Sequence, residues 1–265
     1  MNDLDPLWRA CALVTSILSG SIVAAQDTVW IRQIGTASSE EPFGADALPA
    51  GGGAVCGYTQ GSLAGPYAGG GTDAWYGFVD PSGQLGWIHQ LGTERDESAS
   101  AILARPDGSV IVAGSTNGSL FGPITGQGDV WLAGSDTSGT IVWSEQFGTN
   151  RRDSVSALAQ DGAGGFFVAG WTQGDLAASS LGGYDAWVAR YDSGGSRLWI
   201  QQFGTSKQDF AQAIVPDGAG GVFVGGTRGD NGFGSGDAWL ARCTGTGQVL
   251  WLERFGAPGS QDYLT

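Results

Sequence analysis

Residues 182–227 read GGYDAWVARYDSGGSRLWIQQFGTSKQDFAQAIVPDGAGGVFVGGT and contain one full copy of a pattern that recurs along the chain. The W-x-x-x-[FIL]-G segment occurs five times, at spacings of 57, 56, 56 and 52 residues, and starts at Trp30, Trp87, Trp143, Trp199 and Trp251. The D-[AV]-W segment occurs four times and starts at Asp73, Asp129, Asp185 and Asp237. A repeat of this length indicates copies of one small unit that bury their apolar faces against each other.

Each unit contains four short apolar stretches with the period of a β-strand, separated by turns rich in Gly, Asp and Ser. In the third unit we expect strands at 157–160, 165–172, 186–191 and 197–203. The turns DGAGG and DSGGSR between them supply the residues that tight hairpins require. Four such strands per repeat are typical of propeller blades. The expected fold class is therefore all-β, a β-propeller of four-stranded antiparallel blades.

The two ends of the chain carry partial units. Four full blades are expected at about 41–92, 97–148, 153–204 and 209–256. Residues 28–35 match an outer strand with no unit before it, which favours an N-terminal strand that closes the ring with the last blade. The C-terminal QDYLT matches only the start of a further inner strand. The sequence thus predicts partial strands at both ends and a C-terminal truncation.

Composition excludes several classes of protein. The 265 residues include 48 Gly, and 12 Lys plus Arg stand against 26 Asp plus Glu, for a net charge of -14. Because phosphate neutralisation needs clustered cations, we expect no nucleic-acid partner. A long-helix protein is excluded because each interior Gly costs about 1 kcal/mol relative to Ala.

The N-terminal residues predict export. Residues 10–25 (ACALVTSILSGSIVAA) form an apolar stretch after Arg9, and Val23 and Ala25 occupy the positions that a signal peptidase reads. We therefore expect a signal peptide over 1–25 and a repeat domain over 26–265. A membrane anchor is the alternative, although about 15 residues dotted with Ser, Thr and Gly are short for a span. No later segment is apolar enough to cross a membrane. The expected location is secreted, cell surface or periplasmic, and the spacing of Cys56 and Cys243 does not support a disulfide.

The repeat resembles the bacterial seven-bladed β-propeller repeat family, often called SBBP repeats. That family's pattern, G-x-D-A-[FW]-[VL]-A-[KR]-[LY]-D-x-x-G-x-x-x-W-x-x-x-[FLY]-G, is matched along residues 182–227, and the resemblance covers 27–265. The first unit departs from it, because residues 45–57 lack the Asp-Gly turn. The resemblance implies an exported bacterial propeller, commonly part of a larger surface protein, with no catalytic residues to transfer. A weaker similarity, in the spacing of Asp80, Gly83 and Trp87, is to the tryptophan-docked propellers of quinoproteins.

Carboxylates are the only candidates for chemistry. His89 is the single histidine, so a Ser-His-Asp triad or a histidine-rich metal site is excluded, and no catalytic or cofactor-binding residue is predicted. One acid follows the outer-strand Gly by five residues in each unit, namely Glu40, Glu97, Asp153 and Asp209. In propeller geometry the connection that carries this acid shares a face with the long loop between the second and third strands. Such a rim of acids could bind Ca²⁺ or sugars, or act as acid and base in a glycosidase. The alternative is that each acid caps its own turn, which repetition in every unit favours.

Residues just before or within the long loop between the second and third strands are the candidates for a ligand face. Tyr58 and Trp171 share a position that is Ser115 in the second unit, so neither aromatic is required by the repeat. Arg228 and Asp230 lie in the corresponding segment of the fourth unit, within an Arg-Gly-Asp tripeptide. We interpret this tripeptide as ordinary sequence variation of the loop.

The sequence favours a non-catalytic exported propeller whose loops at 59–72, 116–128, 172–184 and 227–236 bind a protein or carbohydrate at the cell surface. We expect no cofactor, with Ca²⁺ as the one ion that the acids would suit. The alternative function is enzymatic: a carboxylate-based glycoside hydrolase or lyase, or a quinoprotein-like oxidoreductase. A purely structural spacer is a third option.

Overall fold

Sixteen β-strands make up the regular structure. The computed structural model describes residues 31–48, 51–229 and 236–255, and these ranges contain strands but no helix. No segment among them could therefore span a bilayer as a helix. The strands are β1 (Glu40–Ala47), β2 (Gly53–Thr59), β3 (Asp73–Val79), β4 (Leu85–Leu91), β5 (Glu97–Ala104), β6 (Val110–Thr116), β7 (Asp129–Ser135), β8 (Ile141–Phe147), β9 (Asp153–Gln160), β10 (Phe166–Thr172), β11 (Asp185–Tyr191), β12 (Arg197–Phe203), β13 (Gln208–Pro216), β14 (Val222–Gly229), β15 (Asp237–Cys243) and β16 (Val249–Phe255).

The strands form four antiparallel sheets, each with its strands in chain order. We number them sheet 1 (β1–β4), sheet 2 (β5–β8), sheet 3 (β9–β12) and sheet 4 (β13–β16). The predicted all-β class with repeated four-stranded antiparallel units is confirmed. In sheet 3 the last three strands match the expected bounds to within one residue, whereas β9 begins four residues earlier than expected, at Asp153.

Short-range hydrogen bonds explain why the outer hairpin turns fall where they do. In sheet 3 the Asp192 carboxylate accepts the N–H groups of Gly194 and Ser196, both at 2.9 Å. Gly195 has a φ of 85°, a conformation that a residue with a Cβ rarely adopts. The same Asp contacts recur in the turns of sheets 1 and 2, at Asp80 and Asp136. The turn sequence therefore determines where the third strand ends and the fourth begins.

Apolar layers between successive sheets form the core. Trp131 and Trp187 are fully buried in these layers. The outer-strand tryptophans bridge to the next sheet: Trp87 Nε1 donates to the Thr137 carbonyl at 3.1 Å, and Trp199 Nε1 to the Gly245 carbonyl at 2.8 Å. The first strands of the four sheets also pack side by side, as β1 with β5, β5 with β9, and β9 with β13. The tryptophans of the repeat therefore pack within and between the sheets at these positions.

Several expectations about the N-terminus concern residues that the structure does not describe. The predicted signal peptide, 1–25, and residues 28–30 of the predicted closing strand lie outside the described ranges. Residues 31–35 form no strand in the structure. The predicted closing strand needs a last blade that supplies only three strands, and each of the four described sheets already has a fourth strand of its own, so the closing role of residues 28–35 stays a prediction. Arg32 Nη1 donates to the Gly83 carbonyl in the outer turn of sheet 1, at 3.1 Å.

The two cysteines of the described chain are free thiols. Cys56 lies in sheet 1 and Cys243 in sheet 4, and both are fully buried. They are therefore part of the apolar layers and not a cross-link.

Candidate functional site

The long loops and the connections between sheets lie on one face, as the sequence predicted. We call this the loop face and define it by the loops 60–72, 117–128 and 173–184 and the connections 92–96, 148–152 and 204–207. The Asp96 carboxylate accepts the Gly71 N–H at 2.6 Å, and the Asp96 carbonyl accepts the Asn117 N–H at 2.9 Å. The connections 92–96 and 148–152 are thus each bonded to the loop of the sheet before and to the loop of the sheet after, the second through the Arg151 and Arg152 carbonyls, which accept the N–H groups of Gln127 and Gln173.

An acid lies at the start of each inner strand, where the sequence had placed it in the connection: Glu40, Glu97 and Asp153 are the first residues of their strands and Asp209 is the second, and all but Glu40 are buried. Asp153 Oδ2 accepts the Thr149 N–H at 2.6 Å and the Thr149 hydroxyl at 3.0 Å, and Asp153 Oδ1 accepts the Thr172 hydroxyl. The Asp153 N–H also donates to the Gly128 carbonyl at 3.0 Å, so the chain is already extended and paired at this residue. Equivalent contacts hold the other acids of sheets 1 and 2, through Thr36, Glu40 and Thr59 and through Thr93, Glu97 and Thr116.

The fourth acid, Asp209, departs from this arrangement. It accepts the N–H and hydroxyl of Thr205 at 2.8 and 2.7 Å, but the Thr227 hydroxyl has no partner among the described atoms. Arg228 takes part instead, because its Nε donates to Thr205 Oγ1 at 3.0 Å and lies 3.9 Å from Asp209 Oδ1. The Arg228 side chain is therefore tied to the acid beneath it.

The four predicted acids are not brought together, since each belongs to a different sheet. Each of the last three instead lies beside an acid of the preceding sheet. A Cβ on Gly148 would lie 2.5 Å from Asp129 Oδ1 and 2.9 Å from Asp153 Oδ2, which places both oxygens at one small notch. Burial raises the pKa of the Asp153 carboxyl, threonine hydrogen bonds oppose that shift, and the Asp129 charge adds to it.

The same causes act on the neighbouring pairs. Burial raises the pKa of Glu97 and of Asp209, with further contributions from the charges of Asp73 and Asp185. Glu40 is the exception, because the Thr36 hydroxyl bond lowers the pKa of this less enclosed carboxyl. Buried acids with raised pKa values are chemically unusual, yet here each is explained by a junction between two sheets.

A glutamine that the sequence analysis overlooked organises each long loop. Gln202 Oε1 accepts the N–H groups of Leu176, Ala177 and Ala178 at 2.9, 3.0 and 3.3 Å. Its Nε2 donates to the Gly174 carbonyl at 3.0 Å and to Asp185 Oδ2 at 2.8 Å. We call this set of five bonds the glutamine clasp.

The clasp recurs in sheets 1 and 2 and is lost in sheet 4. Gln90 and Gln146 make the same kinds of bonds to the loops of their own sheets. Arg254 stands at this position in sheet 4. The signal that could have revealed the clasp is the Q in WxxQ[FIL]G, which is retained on a strand where its neighbours vary.

The predicted ligand-face residues lie at the loop end of the second strands. Trp171 packs edge-on against Tyr184 and Phe210, with ring centroids 4.9 and 5.9 Å away. Tyr58 packs against Phe43 at 5.5 Å. Asp230 lies outside the described residues. Trp171 is therefore a half-buried member of an aromatic cluster between sheets 3 and 4, and only part of its ring can reach a ligand.

The acids do not form a multidentate cation site within the described ranges. No group of three or more His, Cys, Asp or Glu side chains there is arranged to hold a metal ion. The acids predicted as weak Ca²⁺ candidates, Glu40, Glu97, Asp153 and Asp209, each accept hydrogen bonds from threonine as described above. Ca²⁺ needs six to eight oxygen ligands, which one buried pair does not supply.

Two cavities open on the loop face at equivalent junctions. The larger, about 910 Å³, lies between sheets 1 and 2, and Arg95, Asp96, Asn117 and Arg152 are among its lining residues. The smaller, about 440 Å³, lies between sheets 2 and 3, and Arg151, Gln173 and Asp175 help to line it. Both are lined mainly by glycine and polar residues. The loop face therefore offers concave, hydrophilic sites.

No family model matches the chain. An alignment 157 positions long gives 30% identity to the regulatory protein FlaEY of Caulobacter vibrioides, and it covers 53% of this chain and only 16% of that protein's length. A crystal structure of a protein of unknown function from Bacteroides caccae is similar at a TM-score of 0.36 and 12% identity, covering 82% of each chain.

Proposed function

We propose that this chain is an exported β-propeller domain that binds a protein or a glycan through its loop face and does not catalyse a reaction. In this proposal the four sheets are four blades arranged around a common axis. The side-by-side packing of β1, β5, β9 and β13 supports that arrangement, because innermost strands surround the axis of a propeller.

The observation that carries the binding proposal is the contrast between a constant support and variable loops. The glutamine clasp holds the loops of sheets 1, 2 and 3 with the same kinds of bonds, four in sheet 1 and five in each of sheets 2 and 3, while the residues beyond it differ in each loop. Loops that are held rigidly but vary in sequence are a common basis for recognition surfaces. Because the buried acids are equivalent in successive sheets, we assign them to the junctions and not to a reaction centre.

The proposal is tested by blocking one face at a time. Because Cys56 and Cys243 are buried, and Cys11 lies in the predicted signal peptide and is left out of the mature protein used for labelling, a maleimide-polyethylene glycol will react selectively with an introduced exposed cysteine. The loop-face variant is Ala178→Cys, and the matched variant on the opposite turn face is Gln84→Cys. Both labelled proteins are applied to an array of glycans and bacterial surface proteins.

We expect polyethylene glycol at residue 178 to abolish binding and the same group at residue 84 to leave it intact. Equal loss in both, or loss only at residue 84, would contradict the assignment of the loop face. Each captured glycan is then incubated with the unlabelled protein and its products are analysed. Hydrolysis or elimination products would contradict a non-catalytic function.

Export is tested separately. The apolar residues 10–25 and the signal-peptidase pattern ending at Ala25 support a signal peptide. We expect residues 1–25 fused to alkaline phosphatase to give activity in the periplasm and to be cleaved after Ala25. An inactive, uncleaved fusion in the cytoplasm would contradict export.

A further inference from the structure

We propose that the larger cavity of the loop face binds an acidic oligosaccharide, with Arg95 and Arg152 contacting its carboxylate groups. This inference rests on the proposed binding function and names the class of ligand. It starts from an uneven distribution of cations. Arg95, Arg151 and Arg152 are exposed, and their guanidinium groups make no hydrogen bond or ion pair with any described residue.

Arginines on the opposite face have partners. Arg190 and Arg242 form ion pairs of 2.7 Å with Asp161 and Asp217, and Arg105 donates to the carbonyls of Ser193 and Gly164. Among the described arginines, only these three and Arg254 make no hydrogen bond or ion pair through the side chain, and the three lie in two connections of the loop face. Unpaired guanidinium groups in concave sites suit planar anions, which they bind with two parallel hydrogen bonds.

The buried acids position these arginines. The Thr93 hydroxyl donates to Glu97 at 2.8 Å and accepts the Arg95 N–H at 3.1 Å. The Thr149 hydroxyl does the same for Asp153 and Arg151, at 3.0 and 3.2 Å. Each connection therefore has a backbone anchored from below, and this anchoring holds a basic residue at a defined place on the surface.

Two adjacent residues of one connection, Arg151 and Arg152, line different cavities. Arg152 lines the larger cavity, opposite the connection that carries Arg95, whereas Arg151 lines the smaller one. A ligand chain that leaves the first cavity thus meets another guanidinium at the next junction. A linear oligosaccharide with repeated carboxylates matches this placement.

The acids that face the cavities do not neutralise the arginines through contacts. Asp96 accepts the Gly71 N–H at 2.6 Å, and Asp175 accepts the Ser180 N–H at 2.7 Å, so both are used within the loops. Glu94 is the third exposed acid and lines the larger cavity. These charges, with the net charge of -14, oppose a long polyanion such as nucleic acid and favour a short ligand with few anionic groups.

The remaining lining suits sugar hydroxyls. Thr93, Asn117, Ser119 and Gln127 supply donors and acceptors, and no aromatic ring for base stacking is among the described residues of this cavity. A volume of about 910 Å³ falls within the range of small-ligand sites, about 300–1,000 Å³.

The test is calorimetric titration with trigalacturonate and with its methyl ester, which has the same shape and no charge. The double variant Arg95→Ala/Arg152→Ala removes both cations, and Arg254→Ala, which alters an exposed arginine outside these two cavities, is the matched control. Because the three guanidinium groups make no hydrogen bond or ion pair with a described residue, all variants should keep the unfolding profile of the parent protein. We expect the parent and the control to bind trigalacturonate, the double variant to bind about 30-fold more weakly, and the ester to bind no better than the double variant does.

Several results would overturn the inference. They are equal affinity for acid and ester, equal affinity of parent and double variant, or no binding of trigalacturonate. A neutral glycan that is displaced by polyethylene glycol at residue 178 would refute the acidic class while leaving the proposed function standing. A Glu-rich peptide that binds in the arginine-dependent way, when trigalacturonate does not, would move the assignment from glycans to proteins. If no glycan or protein binds through the loop face, both proposals fall.

Discussion

Replacing Gln202 by Leu should remove the hydrogen bonds that hold one long loop without disturbing the sheet on which the residue lies. Leucine retains much of the side-chain volume of glutamine but removes its oxygen and nitrogen. Three loop N–H groups lose their acceptor, and the Gly174 carbonyl and the Asp185 carboxylate lose a donor. The adjacent residue, Gln201, is exposed on the opposite side of the same strand and provides a matched control as Gln201→Leu.

The expected loss of stability follows from those five bonds. A neutral hydrogen bond contributes about 1 kcal/mol net and a bond to a carboxylate about 2 kcal/mol. Because the loop is partly exposed, water can replace part of what is lost, and we expect a decrease of about 3 kcal/mol in the free energy of unfolding of this region. For a protein of this size, such a decrease lowers Tm by about 10 °C.

Hydrogen exchange locates the effect. The amides of Leu176, Ala177 and Ala178 should exchange about 100-fold faster in Gln202→Leu, while amides within β10 and β11 change little. The Gln201→Leu protein should exchange like the parent. Unchanged exchange at the three loop amides would refute the clasp, and an equal effect of Gln201→Leu would show that the strand, not the clasp, was weakened.

Four further predictions concern a buried acid, a turn acid, a glycine at a junction between sheets, and a buried thiol. Burial raises the pKa of Asp153 in the folded state, so the stability that the protonated carboxyl contributes is fully present below about pH 4 and is lost as the pH rises. Asp153→Asn should therefore flatten the pH dependence of the free energy of urea unfolding between about pH 4 and 7. The Ser138 bonds lower the pKa of Asp136, so this carboxylate stabilises the fold at neutral pH and its contribution is lost as the pH falls. Asp136→Asn should remove that loss, and equal slopes of unfolding free energy against pH in the Asp136 and Asp153 variants would contradict the two opposite assignments. Gly148→Ala would place a Cβ 2.5 and 2.9 Å from two carboxylate oxygens. It should lower the free energy of unfolding, measured by chemical denaturation, by more than about 2 kcal/mol, which is a typical cost of overpacking. The control Gly122→Ala, where the nearest atom would be 3.5 Å away, should be nearly neutral. Burial raises the pKa of the Cys56 thiol to about 12, so a thiol reagent should modify it only on unfolding, and rapid labelling of the native protein would show that the apolar layer is open.

Strand positions could be predicted from local sequence, because the hydrogen bonds that close each turn join residues within that turn. The Asp192 turn closes through bonds that span no more than four residues, and a periodic strand on either side completes the hairpin. The first unit, which lacks the Asp-Gly turn, still forms β1, since Gly51 and Gly52 supply φ values of 89° and 81° in place of that turn. Local rules were sufficient where the interacting groups are close in the chain.

The candidate site could be predicted only in part. The shared face of loops and connections was predicted correctly, because alternating strand direction places these segments at one end of each sheet. The contacts of Trp171 were not, since its partner Phe210 lies in the next sheet. The closing strand at 28–35 was predicted from its motif alone and stays a prediction, because pairing requires an available edge as well as a suitable sequence and each described sheet already has a fourth strand of its own.

By itself, the sequence determined the unit: its strands, its hairpin turns, and the residue types that recur in each copy. The tertiary structure decided what each recurring polar residue does. Gln202 contacts residues 24 to 28 positions away, Asp153 meets Asp129 across a junction, and Arg95 and Arg152 face one cavity from two connections. The physical reason is that hydrogen bonds and ion pairs act over a few ångströms, and only the stacking of sheets brings groups that are distant along the chain within that range.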